Sequence, residues 1–508
     1  RPMSAAMTLD RLARNELALT RLDPELSVLL AVCWLYADMP ERAREVIVRF
    51  AERNPDAQIQ IGDAQIPLFR EPEKALAWLK DVAGTPQQFG ARTVMEWRMF
   101  RGNEARTAAT TGTIPLLNHH WRVRAMIEDH KDEELIKQLQ KQYIAGKVAA
   151  LPTVHPLIVG DYVIMRSPNK VFGLSIAKEG KRIWWYPYDE SAVEQTAAKY
   201  NRTNSRSNVN PRQVELSQRV WDDATYGQLS SDGERVYLVD ELGYAASPHY
   251  PQGVLIVAGG RALQNPGSPK PFNVLVALEL ETEGKIVWKV GGESGFDEDE
   301  LAGAFFLGPP LCRDGKLYVL AELKGEIQLV VMDARTGQLQ WQQQLAYVDS
   351  QTILIDSTRR LAGATPSGEG NLLICPTSAG AVVAVDIAKR SLLWGYAYES
   401  SHAAPRRVNM WRVTATPPKP FGSHWADGSA TIADNCVLLT PVESDHLHCV
   451  DLLTGQPLWD PQPRGTMLYV GGIHRDRAIM VGQDQVRAIQ LADGNAAWAL
   501  PLDGETPS

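Results

Sequence analysis

One short motif returns six times in register along most of this chain, and its spacing restricts the available folds more than any other feature. The copies are VVMDARTGQLQW ending at Trp341, VDLLTGQPLW at Trp459, AVDIAKRSLLW at Trp394 and AIQLADGNAAW at Trp498, with two longer by one residue, GLSIAKEGKRIW at Trp184 and ALELETEGKIVW at Trp288. Each reads as a strand end, a tight turn and a second strand closed by tryptophan. Gly180, Gly284, Gly337, Gly455 and Gly494 all stand four residues before their tryptophan, where a hairpin turn needs a positive φ that glycine adopts cheaply. Arg390 holds that position in the Trp394 copy and predicts a less favourable turn there. Further upstream stand Gly173, Ala277, Val331, Ala384, Cys449 and Ala488, all small or slender. A flat indole fits over such positions, so Trp184, Trp288, Trp341, Trp394, Trp459 and Trp498 are expected to dock blades against one another.

Another strand pair precedes each motif, for example DGKLYVLAE (314–322) and DGERVYLVDE (232–241). Several strands per tryptophan predict propeller blades rather than a helical solenoid. Successive tryptophans are 104, 53, 53, 65 and 39 residues apart, against roughly 40–50 for a four-stranded blade. The excess is expected as insertions at 199–213, 243–271 and 398–425, and long loops on a repeat scaffold are where partners bind.

These residues resemble the pyrroloquinoline quinone (PQQ) repeat, A-x-D-x-x-T-G-x-x-x-W. Asp333, Thr336, Gly337 and Trp341 match it, as do Asp451, Thr454, Gly455 and Trp459; the other copies keep the tryptophan and drift elsewhere. EWRMFRGNEART (96–107) is similar to a W-x-x-F-R-G segment that leads into such propellers in large bacterial envelope proteins. The resemblance implies two kinds of function. One is a quinoprotein dehydrogenase with PQQ and calcium in the funnel and a disulfide between adjacent cysteines; no two of the five cysteines here are adjacent. The other is a non-catalytic scaffold for assembly, which the resemblance favours, with no cofactor, protein partners, and a place in the periplasm or cell envelope, associated with the outer membrane. Because the chain stops soon after Trp498, an open or incomplete ring is expected.

The expected fold is mainly β, a multi-bladed β-propeller of PQQ-like repeats over 151–508 with about six blades, preceded by a small α-helical region over 1–90 and a linker with an inserted helix over 91–150. In the helical region, Asp23 is read as a cap with Pro24 at the first helical position, and a second helix starts near Pro40. Ala31, Trp34, Ala43 and Pro55 fall where a tetratricopeptide repeat has small, aromatic, small and terminating residues. Such arrays bind peptides in a groove. A third helix is expected over 71–84. MIEDHKDEELIKQLQKQYIAG (126–146) reads as an exposed helix with Ile127, Leu135, Ile136 and Leu139 on its apolar side.

A net charge of −8 and a pI near 5.8 give no basic field for nucleic acid. The longest apolar run, LSVLLAVCWLYA (26–37), is short of the roughly 20 residues that span a bilayer. Five scattered cysteines without a C-x-x-C pair read as buried small apolar residues. In DHLHC (445–449), His446 and His448 project to one side of a strand and form a minimal metal pair that lacks further ligands. GFDEDELAG (295–303) lacks the spacing of a calcium loop and reads as a polar loop with a short helical turn. No nucleophile elbow or phosphate loop is present. Arg406, Arg407 and Trp411 form a candidate partner contact on the third insertion.

Overall fold

The computed structural model describes residues 2–502, apart from 38, 56–57, 62–63, 68, 70, 84–95, 110–120, 125–129, 188–210, 241–253, 259–260, 263–269, 349–351, 355, 402–406, 410–411 and 415–420. The protein is a β-propeller with a small helical region before it. Six antiparallel sheets follow one another, each with its strands in chain order from inner to outer edge. Blade one is Leu157–Val159, Tyr162–Arg166, Val171–Ser175 and Lys181–Tyr186. Blade two, from Ser230–Ser231 to Lys285–Gly291, adds the short strand Gly295–Phe296. Blade three is built on Lys316–Leu323, Glu326–Asp333 and Leu339–Tyr347. Blade four runs from Ser367–Glu369 to Ser391–Ala397, blade five from Thr431–Ala433 to Gln462–Pro463, and blade six from Met467–His474 to Ala496–Pro501.

Position in the blade decides strand character. Middle strands are covered on both faces and read as near-continuous apolar runs: Leu372–Pro376 and the first five residues of Val274–Glu279 are buried throughout. Outer strands meet solvent, so Ser391–Ala397 is half-buried at best and Ala496–Pro501 is exposed at every residue. In blade five the outer strand is cut to Gln462–Pro463, because Pro461 and Pro463 have no N–H to give a ladder.

The helices Pro2–Ala13, Glu25–Tyr36, Pro40–Arg53 and Ala75–Ala83 do not stand apart from the propeller. Met3, Leu30, Trp34, Ile47, Phe50 and Leu79 share one core with Leu372, Ile374 and Val437 of blades four and five. Arg11 is ion-paired with the buried Asp386 in the turn of blade four. Asp23 accepts from the Ser27 amide at 3.1 Å, and the helix begins one residue later than the sequence suggests, at Glu25. A hairpin, Gln58–Ile61 with Ala64–Pro67, separates the helices in a place where the repeat pattern gives no hint of it.

The insertions differ from the reading of them as loops. The first ends in the helix Pro211–Trp221, which receives His130–Ala145 through Arg212 on the buried Asp132. Leu139 of that second helix is buried and Leu135 and Ile136 are half-buried; Ile127 lies outside the described residues. The second and third insertions pair with each other: Val254–Ala258 hydrogen-bonds to Arg412–Thr414, and Arg261–Ala262 and Arg407–Asn409 complete a four-stranded sheet. Strands about 150 residues apart carry no local signal for each other. Cys375, Cys436 and Cys449 are buried and Cys33 and Cys312 half-buried, all as free thiols.

Candidate functional site

The repeat residues come together at the seams between blades. Within its own blade each tryptophan lies opposite the slender residue upstream: Trp184 pairs with Gly173, Trp288 with Ala277, Trp341 with Val331, Trp394 with Ala384 and Trp498 with Ala488. The same bulge follows each of these five pairs, which turns the indole toward the next sheet. There it covers the turn glycine of the following blade. A Cβ on Gly284 would lie 2.5 Å from Trp184, on Gly337 2.7 Å from Trp288, and on Gly455 2.5 Å from Trp394. In three seams the indole N–H donates to the first turn carbonyl, Trp288 to Ala334 at 3.2 Å, Trp394 to Leu452 at 3.0 Å and Trp459 to Leu491 at 3.1 Å, whereas the buried Trp184 N–H meets no acceptor among the described residues. Arg390 adopts φ +53° in the position of the missing glycine, and its guanidinium lies 5.7 Å from the Trp341 ring. Trp498 is 42% exposed. Trp121, which lies outside the six repeats, covers Gly180 in the same way, since a Cβ there would lie 2.5 Å from its ring, as if it closed a preceding blade.

The centre of the ring is occupied by the chain itself. Residues 97–108, read from sequence as a lead-in, run across the inner strands and bond to them in turn. Trp97 exchanges backbone bonds with Ile158 of blade one at 2.8 and 2.9 Å, and the Ser231 amide of blade two donates to Arg98 at 2.8 Å. Arg313 of blade three meets Glu104 at 3.6 Å. The Gly368 amide of blade four donates to Glu104 and the Ile432 amide of blade five to Ala105, both at 2.9 Å. Arg101 pairs with Asp427 at 2.8 Å. Arg106, 3% exposed, donates to the carbonyls of Phe100 and Pro366 and to Thr365 Oγ1 at 2.8, 2.9 and 3.1 Å. Burial, with Arg101 nearby, lowers its pKa to about 10. The run of glycine, asparagine and three arginines has no strand or helix period, so only its composition signals a polar path through a core.

Segments joining the blades line a small cavity that opens to solvent. Leu151, Trp221, Leu361, Phe421, Val442 and Leu468 give it apolar walls, and Asp222 and His424 are its titratable members. This lining does not fit a quinone held with calcium. Calcium takes six to eight oxygens, carboxylates foremost, whereas the cavity offers one carboxylate, and no group of three His, Cys, Asp or Glu capable of holding a metal occurs among the described residues.

The histidine pair is used otherwise. The His446 and His448 rings are 6.2 Å apart, but both nitrogens of the buried His448 are engaged, Nδ1 with the Tyr396 hydroxyl at 3.1 Å and Nε2 with Ser444 Oγ at 3.3 Å. Burial, and to a lesser degree His446, lowers its pKa from 6.5 to about 4. The fold therefore favours neutral His448, so its contribution is complete above pH 6.5 and lost as pH falls through 4. That difference corresponds to about 3 kcal/mol. The urea midpoint is expected to drop between pH 7 and pH 4, and His448→Gln should flatten that drop; an unchanged pH profile would refute the assignment. In the acidic loop, Glu298 accepts from the Leu339 amide at 2.8 Å and Asp297 from Lys289 at 2.8 Å, so backbone amides occupy these carboxylates, beside a short helical turn at Asp299–Leu301. Arg406 and Trp411 lie outside the described residues, while Arg407 opens a strand of the inserted sheet.

A family model described as outer membrane protein assembly factor BamB matches residues 215–500. No curated protein sequence matches the chain. Among solved structures, BamB from Moraxella catarrhalis is 16% identical with a TM-score of 0.30, and the match covers 50% of this chain and 65% of that one. Quinohemoprotein alcohol dehydrogenase from Comamonas testosteroni is 12% identical with a TM-score of 0.40, covering 81% and 74%. The corresponding enzyme ADHIIG of Pseudomonas putida is 12% identical with a TM-score of 0.37, covering 81% and 73%. With more than half of its 508 residues matched, the chain belongs to the PQQ-repeat family described as outer membrane protein assembly factor BamB.

Proposed function

We propose that this chain is a non-catalytic propeller scaffold that holds protein partners in the bacterial cell envelope. The observation that carries this reading is the central segment: the chain's own backbone is tied to the inner strands of blades one, two, four and five, which line the funnel that the resemblance to PQQ repeats would assign to a quinone. The family's description as an assembly factor agrees with it. Surfaces for partners are available at the outer strands and at the inserted sheet. Among the described residues that sheet ends in two edges without a further strand, Arg261–Ala262 and Arg407–Asn409, of the kind that accept an added strand. No helix among the described residues is long and apolar enough to cross a membrane, so an attachment to the outer membrane would run through partners or a lipid.

The test is titration of PQQ and calcium into the full chain, followed by tryptophan fluorescence and by dye reduction with alcohols and sugars. The expected result is no saturable change and no turnover, while replacing the inserted sheet, residues 254–262 and 407–414, by short polar turns abolishes co-purification of an envelope partner without moving the unfolding midpoint. Saturable binding with turnover would make the protein a PQQ- and calcium-dependent dehydrogenase and end the scaffold reading.

A further inference from the structure

Asp222 is a half-buried carboxyl on the wall of the small cavity lined by segments joining the blades. It follows the helix Pro211–Trp221, where its amide bonds to the Gln218 carbonyl at 3.0 Å and the residue lines the cavity. Its neighbour Asp223 is satisfied by Arg219 at 3.1 Å and caps the next turn through the Tyr226 amide at 2.9 Å. The Asp222 carboxyl has no hydrogen-bond or ion-pair partner among the described residues. Burial, with a smaller contribution from Asp223, raises its pKa from 3.8 to about 7. A lone carboxylate in an apolar wall costs stability whenever it is ionised.

The surroundings state what would satisfy it. Trp221 and Phe421 line the cavity beside Asp222, and both are held by Tyr143, which meets them edge-on at ring separations of 5.2 and 5.3 Å. Leu151, Val442 and Leu468 supply aliphatic wall. Aromatic faces attract cations, and aliphatic walls take methylene groups. We propose that this cavity binds an alkylammonium group, its methylenes against the apolar walls and its charged nitrogen on the Asp222 carboxylate. The ammonium comes either from a lysine side chain of a protein or from a free small amine; the chemistry is shared. The site does not rest on the scaffold reading, because a free amine would fill it whether or not a protein partner docks elsewhere.

The other groups that face Asp222 leave this role to it. Asp223 is neutralised by Arg219. Tyr143 shares its hydroxyl with Ser217 at 2.7 Å and is pushed above its ordinary pKa by burial. His424 Nδ1 is 2.7 Å from the Trp425 carbonyl. No lysine or arginine lines the cavity.

The experiment is calorimetric titration of the full chain with n-butylammonium chloride, with n-butanol as neutral isostere. At pH 8 butylammonium is expected to bind at least tenfold more tightly than butanol. At pH 6, where Asp222 (pKa about 7) is mostly protonated, affinity falls about tenfold and binding releases close to one proton, read from buffers of different ionisation enthalpy. Asp222→Asn should abolish the preference and the proton release while keeping the fold. Equal binding of amine and alcohol by the wild-type protein, or the absence of proton release at pH 6, would overturn the proposal without any variant. N-acetyl-lysine methylamide identifies the source: binding as tight as butylammonium supports a protein lysine, and exclusion of the amide while butylammonium binds supports a free amine.

Discussion

Replacing Arg106 by methionine is expected to open the ring from its centre. The side chain is enclosed and donates three hydrogen bonds, to Phe100, Thr365 and Pro366. Methionine fills much of the volume and supplies no donor, so two carbonyls and a hydroxyl lose their partner in a place water reaches poorly. Each such loss costs about 1–3 kcal/mol, which together gives about 3–5 kcal/mol. Arg106→Lys should restore only part of it, because an ammonium cannot repeat the planar fork. An exposed pair such as Arg14 with Asp10 should give less than about 1 kcal/mol on truncation. A propeller of this size need not unfold in one step, so the sharper measurement is amide hydrogen exchange. The amides of Ser231, Gly368 and Ile432, which bond to residues 98, 104 and 105, should lose protection by roughly 100-fold or more in Arg106→Met. Unchanged exchange at those three amides would mean that residues 97–108 merely lie against the blades.

The sequence made the blades legible and left the centre obscure, for a physical reason. A blade seam is local and repeated: the tryptophan, the turn glycine four residues before it and the slender residue upstream recur at fixed offsets, so six weak copies reinforce one another. The central segment occurs once, has no period, and acquires its meaning from strands spread between Ile158 and Ile432. The inserted sheet is hidden in the same way, since Ile256 pairs with Arg412 across an intervening stretch that contains two whole blades. Asp222 is hidden more completely, because what isolates its carboxyl is the set of remote segments around it rather than its neighbours in sequence. His446 and His448 show the converse: their spacing places both on one side of a strand, while the partners of His448, Tyr396 and Ser444, come from elsewhere in the fold or from an adjoining turn.

Substituting the turn glycine of blade five separates backbone strain from seam packing, and Gly455→Ala is expected to cost about 3–5 kcal/mol. The position has φ +69°, which an L residue adopts at a cost of about 1–2 kcal/mol. Its Cβ would stand 2.5 Å from Trp394, closer than real contacts allow, and overpacking of this kind costs about 1–3 kcal/mol. Retreat of the indole would also break its bond to the Leu452 carbonyl, worth about 1 kcal/mol. Gly315 is the control: its φ is +71° with nothing within 4 Å of a new Cβ, so Gly315→Ala should lose only the backbone cost, about 1–2 kcal/mol. Blade four shows that a side chain can stand at this turn, since Arg390 does so at φ +53°. There, however, the facing Trp341 has no indole hydrogen bond among the described residues, and the guanidinium covers its ring instead. Trp394 is tied down and cannot make that adjustment, so Gly455→Arg should be no milder than Gly455→Ala. The check is the urea midpoint of each variant followed by tryptophan fluorescence. Equal losses at Gly455 and Gly315 would reduce the repeated glycine to a turn former and remove the indole from the seam's energetics.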